Sequence, residues 1–154
     1  MSVRVALLAD HPELLAGLAR SYEREWPHWY GVHADAASDL KERSRRSGLP
    51  ICLIAAEEEQ AVGALALADR AISTHPDLTP CVIGLWVEPS RRNQGMAARL
   101  LKAAAAHARD AGFDKLYSAT SVAGRLFIRE GWSKIDTGMT HGGEQVYIFA
   151  AALR

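Results

Sequence analysis

The sequence predicts a mixed α/β fold, and three observations carry this prediction. Short apolar runs typical of strands alternate with longer segments of helical periodicity. The segments follow the order β-α-α-β-β-β-α-β-α-β-β, with three consecutive strands in the middle of the chain. Glycine, proline or short polar stretches separate the segments. Because the chain has 154 residues, we expect one domain over residues 1–154.

The first half of the chain is predicted to contain two helices and three strands. A strand runs from Val3 to Ala9, and Asp10 is suited to cap the helix that follows it. That helix ends near Trp26-Pro27, because proline disfavours helical geometry in the residue before it. The other elements of this half are a polar helix and the two strands of a β-hairpin, predicted over residues 36–47, 50–57 and 61–68.

The second half is predicted to alternate strands and helices before a final hairpin. A buried strand over Cys81 to Val87 precedes a long alanine-rich helix over Asn93 to Ala111, and alanine lets that helix approach the sheet closely. The remaining elements are a strand, a short helix and a hairpin around His141-Gly142-Gly143, predicted over residues 115–119, 122–130, 132–137 and 144–151.

Composition excludes several classes of partner. The formal net charge is zero, so no global field attracts the chain to nucleic acid. One basic cluster is expected to be a solvated helix face rather than an RNA-binding patch; it comprises Lys41, Arg43, Arg45 and Arg46. We expect no metal site, since metal-ligand spacing is absent, and we expect Cys52 and Cys81 to be buried free thiols. No apolar run is long enough to span a membrane and no secretory signal is recognisable, so we expect a cytoplasmic protein.

The most informative segment joins the strand at residues 81–87 to the long helix. Unpaired N–H groups at a helix start, together with the helix dipole, form a binding site for phosphate groups. Arg91 and Arg92 lie just before this start and add positive charge. Gly95 lets the backbone approach a ligand where a Cβ would obstruct it. The segment is therefore predicted to hold a pyrophosphate on backbone amides.

Two motifs identify a family. The order Arg92-Asn93-Gln94-Gly95-Met96-Ala97 matches the loop R/Q-x-x-G-x-G/A and follows a strand that ends in Val87-Glu88-Pro89. A second segment, from Arg125 to Trp132, looks like a helix of the form A-L-Y-x-x-x-G-F with two aromatic changes. With a strand before the loop and a helix after it, the chain resembles the GNAT N-acetyltransferase superfamily.

The resemblance implies a fold, a reaction and a set of residues. It implies a mixed, mostly antiparallel twisted sheet of about seven strands flanked by about four helices. It also implies transfer of an acetyl group from acetyl-CoA, the cosubstrate, to a primary amine, with the main-chain N–H of Val87 polarising the thioester carbonyl. The residues implied to bind acetyl-CoA are Trp86, Val87, Arg91, Arg92, Asn93, Gln94, Gly95, Met96, Ala97 and Phe127.

This chain departs from the family pattern at two positions. Many members have a glutamate base on the fourth strand, where this chain has Ile83, and a tyrosine acid in the later helix, where it has Phe127. One interpretation is that the enzyme needs neither and acetylates an amine of low pKa, such as a terminal α-amine. The other is that His75, in the loop after the third strand, supplies the base. The alternative for His75 is an ordinary solvent-exposed loop histidine.

The acceptor is predicted to enter beside the loop that follows the first helix. Glu25, Trp29 and Tyr30 are the candidate acceptor-binding residues, and the alternative is a hydrophobic cluster that closes the fold. The sequence does not specify whether the acceptor is a small molecule or a peptide. It also leaves open whether the chain forms a homodimer. A second functional hypothesis is a catalytically degenerate protein that binds acyl-CoA as a sensor or scaffold.

Overall fold

The computed structural model describes residues 2–140 and 142–154, and these residues form seven strands and four α-helices. The strands are β1 (Arg4–Leu7), β2 (Ile51–Glu57), β3 (Gln60–Ala68), β4 (Cys81–Val87), β5 (Lys115–Thr120), β6 (Ser133–Met139) and β7 (Gln145–Ala152). The helices are α1 (Leu15–Glu25), α2 (Ala36–Glu42), α3 (Met96–Asp110) and α4 (Gly124–Arg129).

The strands form a sheet in the order β1-β2-β3-β4-β5-β7-β6. The pairs β1–β2, β5–β7 and β6–β7 are antiparallel, and β4 runs parallel to β5, with Cys81 opposite Tyr117 and Val82 opposite Ser118. The predicted fold class, a mixed and mostly antiparallel sheet with flanking helices, is confirmed. Among the described residues, no helix is long and apolar enough to cross a membrane.

The described residues form two compact units, one of residues 2–66 with 84–100 and one of residues 67–83 with 101–140 and 142–154. In the first unit, α1 and α2 cover a core that includes Leu18, Tyr22, Leu40 and Ile54, each at most 1% exposed. Their apolar faces follow helical periodicity, and strand β2 is buried along almost its whole length. Trp86, near the end of β4, also belongs to this core.

The second unit has its own buried clusters. Ile72, Cys81 and Ile148 form one of them. In another, Phe127 of α4 packs edge-to-face on Trp132, with ring centroids 4.9 Å apart, and stacks on Phe149 at 5.4 Å. Aromatic pairs at such separations add to the stability gained by burial.

Most predicted elements are present, but three boundaries and one cap are corrected. The first strand ends at Leu7, and a 3-10 turn over Leu8–Asp10 replaces its last residues. Asp10 does not cap α1; its carboxylate instead pairs with Arg46 at 2.8 Å. The second helix ends at residue 42, five residues before its predicted end, and α3 begins at 96 rather than 93. The predicted turn at residues 141–143 includes His141, which lies outside the described residues.

Candidate active site

The segment between β4 and α3 ends in a helix N-terminus. A 3-10 turn over Pro89–Arg91 follows β4. Asn93 and Gly95 have left-handed φ angles of 64° and 79°, and left-handed residues in such a loop turn successive N–H groups toward a common concavity. The bond from Arg99 N to Gly95 O, 3.1 Å long, closes the first turn of α3. The amides just before Arg99 therefore have no partner within the helix, which favours an anion here.

The loop is open above its backbone. Asn93, Gln94 and Gly95 are exposed, and a Cβ built on Gly95 would meet no heavy atom within 4 Å. Met96 is 5% exposed and Ala97 is half-buried. The loop has room for a ligand directly over Gly95, as the binding of a pyrophosphate by backbone amides requires.

Both arginines of the loop are engaged by carboxylates. Arg91 Nη2 donates to Glu57 Oε1, at the end of β2. Arg92 donates from Nη2 to Glu25 Oε1 at 2.6 Å and from Nε to Val87 O at 2.9 Å. Glu25, a candidate acceptor-binding residue, is thus brought together with Val87 and Arg92, which are both implied to bind acetyl-CoA. Glu57 was not predicted, and its one signal is an acidic residue at the end of an otherwise apolar strand.

Strand β4 contains an irregularity beside the aromatic core. Gly84 has a φ of 60°, and its carbonyl accepts a 2.6 Å hydrogen bond from Tyr22 Oη. A Cβ at Gly84 would lie 3.3 Å from Tyr22 Oη and from Arg43 Nη1, so glycine permits this close approach. Two residues further on, Trp86 is only 3% exposed and meets Tyr22 edge-to-face, with ring centroids 6.2 Å apart.

The predicted acceptor residues lie at the end of α1 and in the loop after it. Tyr30 is 9% exposed and stacks against Tyr22 at 6.1 Å, while Tyr22 also meets Trp26 edge-to-face at 5.0 Å. Trp29 is 40% exposed and lies beside the His33 ring at 4.8 Å. Tyr30 therefore belongs to a hydrophobic cluster, which is the alternative that the sequence left open to acceptor binding. Burial raises the pKa of Tyr30, so its hydroxyl is protonated at neutral pH.

Arg43 contradicts the prediction that its basic cluster is a solvated helix face. Its side chain is 13% exposed, and Nη2 lies 3.7 Å from Asp39 Oδ2. Among the described residues, Arg43 Nη1 is a buried side-chain nitrogen without a hydrogen-bond partner. The cause is helical spacing, because Arg43 follows the buried Leu40 by three residues and the buried Ala36 by seven and so lies on the buried face of α2. Charge periodicity gave no signal of this burial.

His75, the predicted candidate base, has partners on both ring nitrogens. Nε2 lies 2.8 Å from Asp136 Oδ2, and Nδ1 lies 2.8 Å from Thr74 Oγ1. Thr74 Oγ1 also accepts a 3.0 Å bond from Met139 N. A neutral ring with hydrogen on Nε2 fits both contacts, since the Thr74 hydroxyl then donates to Nδ1. The hydrogen bond from His75 also lowers the pKa of Asp136. Asp136 was not predicted as its partner.

Phe127 occupies the position of the family's tyrosine acid but is 2% exposed. Its ring belongs to the aromatic cluster with Trp132 and Phe149. The predicted contact of Phe127 with acetyl-CoA is therefore restricted to its edge or its backbone. His75 and Phe127 both belong to the second unit, whereas the loop, Glu25, Trp29 and Tyr30 belong to the first.

The thiols are buried and protonated. Burial raises the pKa of Cys52 to about 12 and that of Cys81 to about 11, so neither is a ready nucleophile at neutral pH. Both are free, as predicted. Within residues 2–140 and 142–154, no group of three His, Cys, Asp or Glu side chains is placed to hold a metal ion.

Comparisons with known proteins add the identity of the fold. The family model described as "Acetyltransferase (GNAT) family" matches residues 15–127. No curated protein matches the sequence. An aminoglycoside 6'-N-acetyltransferase solved in complex with coenzyme A is similar in structure, with a TM-score of 0.80 and 15% identity over 100% of this chain and 98% of that one.

Two further solved structures are similar across this whole chain. The aminoglycoside 6'-N-acetyltransferase from Enterococcus faecium has a TM-score of 0.78 at 14% identity, covering 100% of this chain and 98% of that one. The N-acetylglutamate synthase from Neisseria gonorrhoeae, complexed with coenzyme A and N-acetyl-glutamate, has a TM-score of 0.67 at 19% identity; the match covers 100% of this chain and 36% of that one. At such identities the likeness establishes the fold alone.

Proposed function

Because the chain belongs to the GNAT acetyltransferase family, whose cosubstrate is acetyl-CoA, we propose that it acetylates a primary amine of a small molecule or a peptide by direct attack. The loop from Arg91 to Ala97 carries this proposal. It joins a strand to a helix N-terminus, has left-handed residues at two positions and leaves open space over Gly95. These properties suit the backbone capture of a diphosphate.

The loop and β4 bind different parts of acetyl-CoA. Amides of Asn93, Gln94, Gly95, Met96 and Ala97 bind the diphosphate, and the Arg91 and Arg92 guanidinium groups add charge. The backbone of Trp86 and Val87 pairs with the pantetheine arm, and Val87 N–H stabilises the negative charge that develops on the acetyl oxygen. When bound, acetyl-CoA supplies an activated thioester, and the chain positions it against the amine.

The absence of a carboxylate at Ile83 bears on the acceptor. A terminal α-amine has a pKa of about 7.7–8.0, so roughly a tenth of it is neutral at pH 7, whereas lysine at about 10.4 is almost wholly charged. A site without a strong base thus favours an α-amine. The engaged ring nitrogens of His75 support a role as a clamp between its loop and β6 rather than as the base. A thiolate leaves readily enough that Phe127 in place of the acid is tolerated.

A thiol-release assay with acetyl-CoA and an amine panel tests the proposal. The panel contains peptides with a free α-amine and blocked lysine, peptides with a blocked α-amine and free lysine, amino acids and aminoglycosides. The last two classes are included because neighbouring structures carry such names. We expect fastest turnover with the α-amine peptides near pH 7.5. A clear preference for the lysine side chain would contradict the choice of acceptor.

The same assay separates the enzyme from a sensor or scaffold. Calorimetry with coenzyme A reports binding independently of chemistry. Binding without thiol release across the whole panel would favour the acyl-CoA sensor, which the missing acid and base motivate. If the protein did not bind coenzyme A at all, the assignment of the loop as the diphosphate-binding site would be wrong.

A further inference from the structure

We propose that Glu25 competes with the cofactor's diphosphate for Arg92, and that Glu25, once released, attracts the ammonium form of the acceptor, which loses its proton to solvent before the neutral amine attacks the thioester. This inference rests on the proposed function, because it requires a diphosphate at the loop. It makes Glu25 a positioning residue that links cofactor binding to acceptor binding. The exchange involves no covalent step: a guanidinium moves from one anion to another, and a second cation takes its place.

The geometry places one guanidinium between two structural elements. Arg92 Nη2 donates to Glu25 Oε1 at 2.6 Å, and Arg92 Nε donates to Val87 O at 2.9 Å. Glu25 is the last residue of α1, and Val87 is the last residue of β4. Arg92 also lies in the loop whose amides are proposed to bind the diphosphate. Its guanidinium therefore pairs with either Glu25 or the diphosphate.

The position of Glu25 in its helix makes the release consequential. A helix C-terminus carries partial negative charge, so a carboxylate there is unfavourable unless a cation accompanies it. Arg92 is the cation that the structure pairs with Glu25. When Arg92 turns to a diphosphate, Glu25 is left at the negative end of α1, next in sequence to the half-buried Trp26 and four residues before Trp29, which is 40% exposed. This combination of negative charge and aromatic surface attracts an ammonium group.

The energies favour the diphosphate over Glu25. The Arg92 and Glu25 side chains are 44% and 31% exposed, and a pair with this exposure is screened by solvent and weak. A diphosphate bound to several backbone amides gains charge-assisted hydrogen bonds at the same time. Cofactor binding is thus expected to displace Glu25, at a cost equal to the weak pair that it breaks.

Calorimetry with coenzyme A on Glu25→Gln tests the competition. Glutamine keeps an oxygen acceptor for Arg92 Nη2 but removes the charge, so we expect coenzyme A to bind about three-fold more tightly than to the wild type. Pantetheine, which has no phosphate, should bind both proteins equally. Glu23→Gln is the matched control, since it removes the same charge from an exposed position of α1 and should leave the dissociation constant unchanged.

A second background separates competition for Arg92 from simple repulsion. Arg92→Gln should weaken binding of coenzyme A by itself, and Glu25→Gln added to it should give no further tightening. A tightening that persists without Arg92 would come from charge repulsion and would overturn the competition. Unchanged or weaker binding by Glu25→Gln alone would overturn it as well. In each of these cases the proposed function still stands if the wild type binds coenzyme A. If the wild type does not bind coenzyme A, both the proposed function and the competition for Arg92 are contradicted.

The release of Glu25 predicts opposite changes in two Michaelis constants. With the amine of the panel that is turned over fastest, Glu25→Gln should lower the KM for acetyl-CoA and raise the KM for the amine. A merely structural role would move both in the same direction or neither. An unchanged KM for the amine would overturn the assignment of Glu25 to the acceptor.

Discussion

The β4–α3 loop, residues 91–97, and the His75 clamp, residues 73–75 with 136–139, are both polar but differ in how far their groups are satisfied. In the clamp, both ring nitrogens of His75 have partners, and Ser73 Oγ donates to Met139 O at 2.8 Å. In the loop, the backbone amides just before Arg99 have no partner within the helix, and a Cβ on Gly95 would meet no heavy atom within 4 Å. Groups satisfied within the chain hold structure, whereas open donors on a rigid backbone are available to a ligand.

The largest expected effect comes from closing the open region. Gly95→Glu places a side chain and a negative charge where the diphosphate is proposed to bind, so we expect affinity for coenzyme A to fall by at least about 100-fold. The domain should remain folded, because a Cβ at Gly95 meets no heavy atom within 4 Å, although its φ of 79° costs some backbone strain. Calorimetry measures the loss, and thermal unfolding checks the fold.

Two variants control for strain and charge in this experiment. Gly112→Glu introduces the same residue at another left-handed glycine with open space, just beyond α3, and should leave affinity for coenzyme A intact. Gly95→Gln keeps the bulk without the charge and should fall between wild type and Gly95→Glu. Full affinity in Gly95→Glu would show that the diphosphate binds elsewhere, and the contrast between the two regions would then lose its meaning.

A smaller effect is expected from opening the clamp. Loss of a general base typically costs a factor of about 10²–10⁴ in rate. Because the ring nitrogens of His75 are engaged by Thr74 and Asp136, we expect His75→Gln to change kcat by less than about ten-fold and to lower the melting temperature instead. Thiol release and thermal unfolding measure the two quantities. A rate loss of the size given for a base, with the melting temperature unchanged, would restore His75 as the catalytic base.

The clamp also predicts a pH dependence of stability. The hydrogen bond from His75 depresses the pKa of Asp136 below its usual 3.8 in the folded state. A depressed carboxyl pKa adds stability that is present above the unfolded pKa and is lost as the pH falls through the folded one. Wild type should therefore lose stability more steeply than Asp136→Asn below about pH 4. Urea denaturation from neutral to acidic pH measures this, and parallel curves would contradict it.

The sequence predicted the loop better than the clamp, for a physical reason. The loop is a local feature, since Arg92, Gly95 and the start of α3 are close in sequence and each follows from backbone rules. The clamp joins His75 to Asp136, 61 positions apart, and the periodicity of a single strand does not reveal which loop will face it. The pairing of Glu25 with Arg92 across 67 positions was beyond reach for the same reason.

Arg43 sharpens the comparison, since it is a polar group neither fully satisfied nor open to a ligand. Its Nη1 would lie 3.3 Å from a Cβ on Gly84, and among the described residues it is buried without a hydrogen-bond partner. Such a group costs free energy that an apolar side chain of similar shape avoids. We expect Arg43→Met to raise the free energy of unfolding by about 1 kcal/mol, as measured by urea denaturation.

The sign of this change in the free energy of unfolding shows whether the Arg43 guanidinium stabilises or destabilises the fold. Methionine preserves most of the packing of the arginine stem, and Asp39, at 28% exposure, can be solvated once its partner is removed. Arg45→Met is the matched control, because Arg45 is exposed and its replacement should leave stability unchanged. A loss of stability in Arg43→Met would mean that attraction to Asp39 exceeds the cost of burial. The buried charge of Arg43 would then stabilise its packing near Gly84 of β4. Buried groups held by an ion pair would form a third class, beside the satisfied and the open groups.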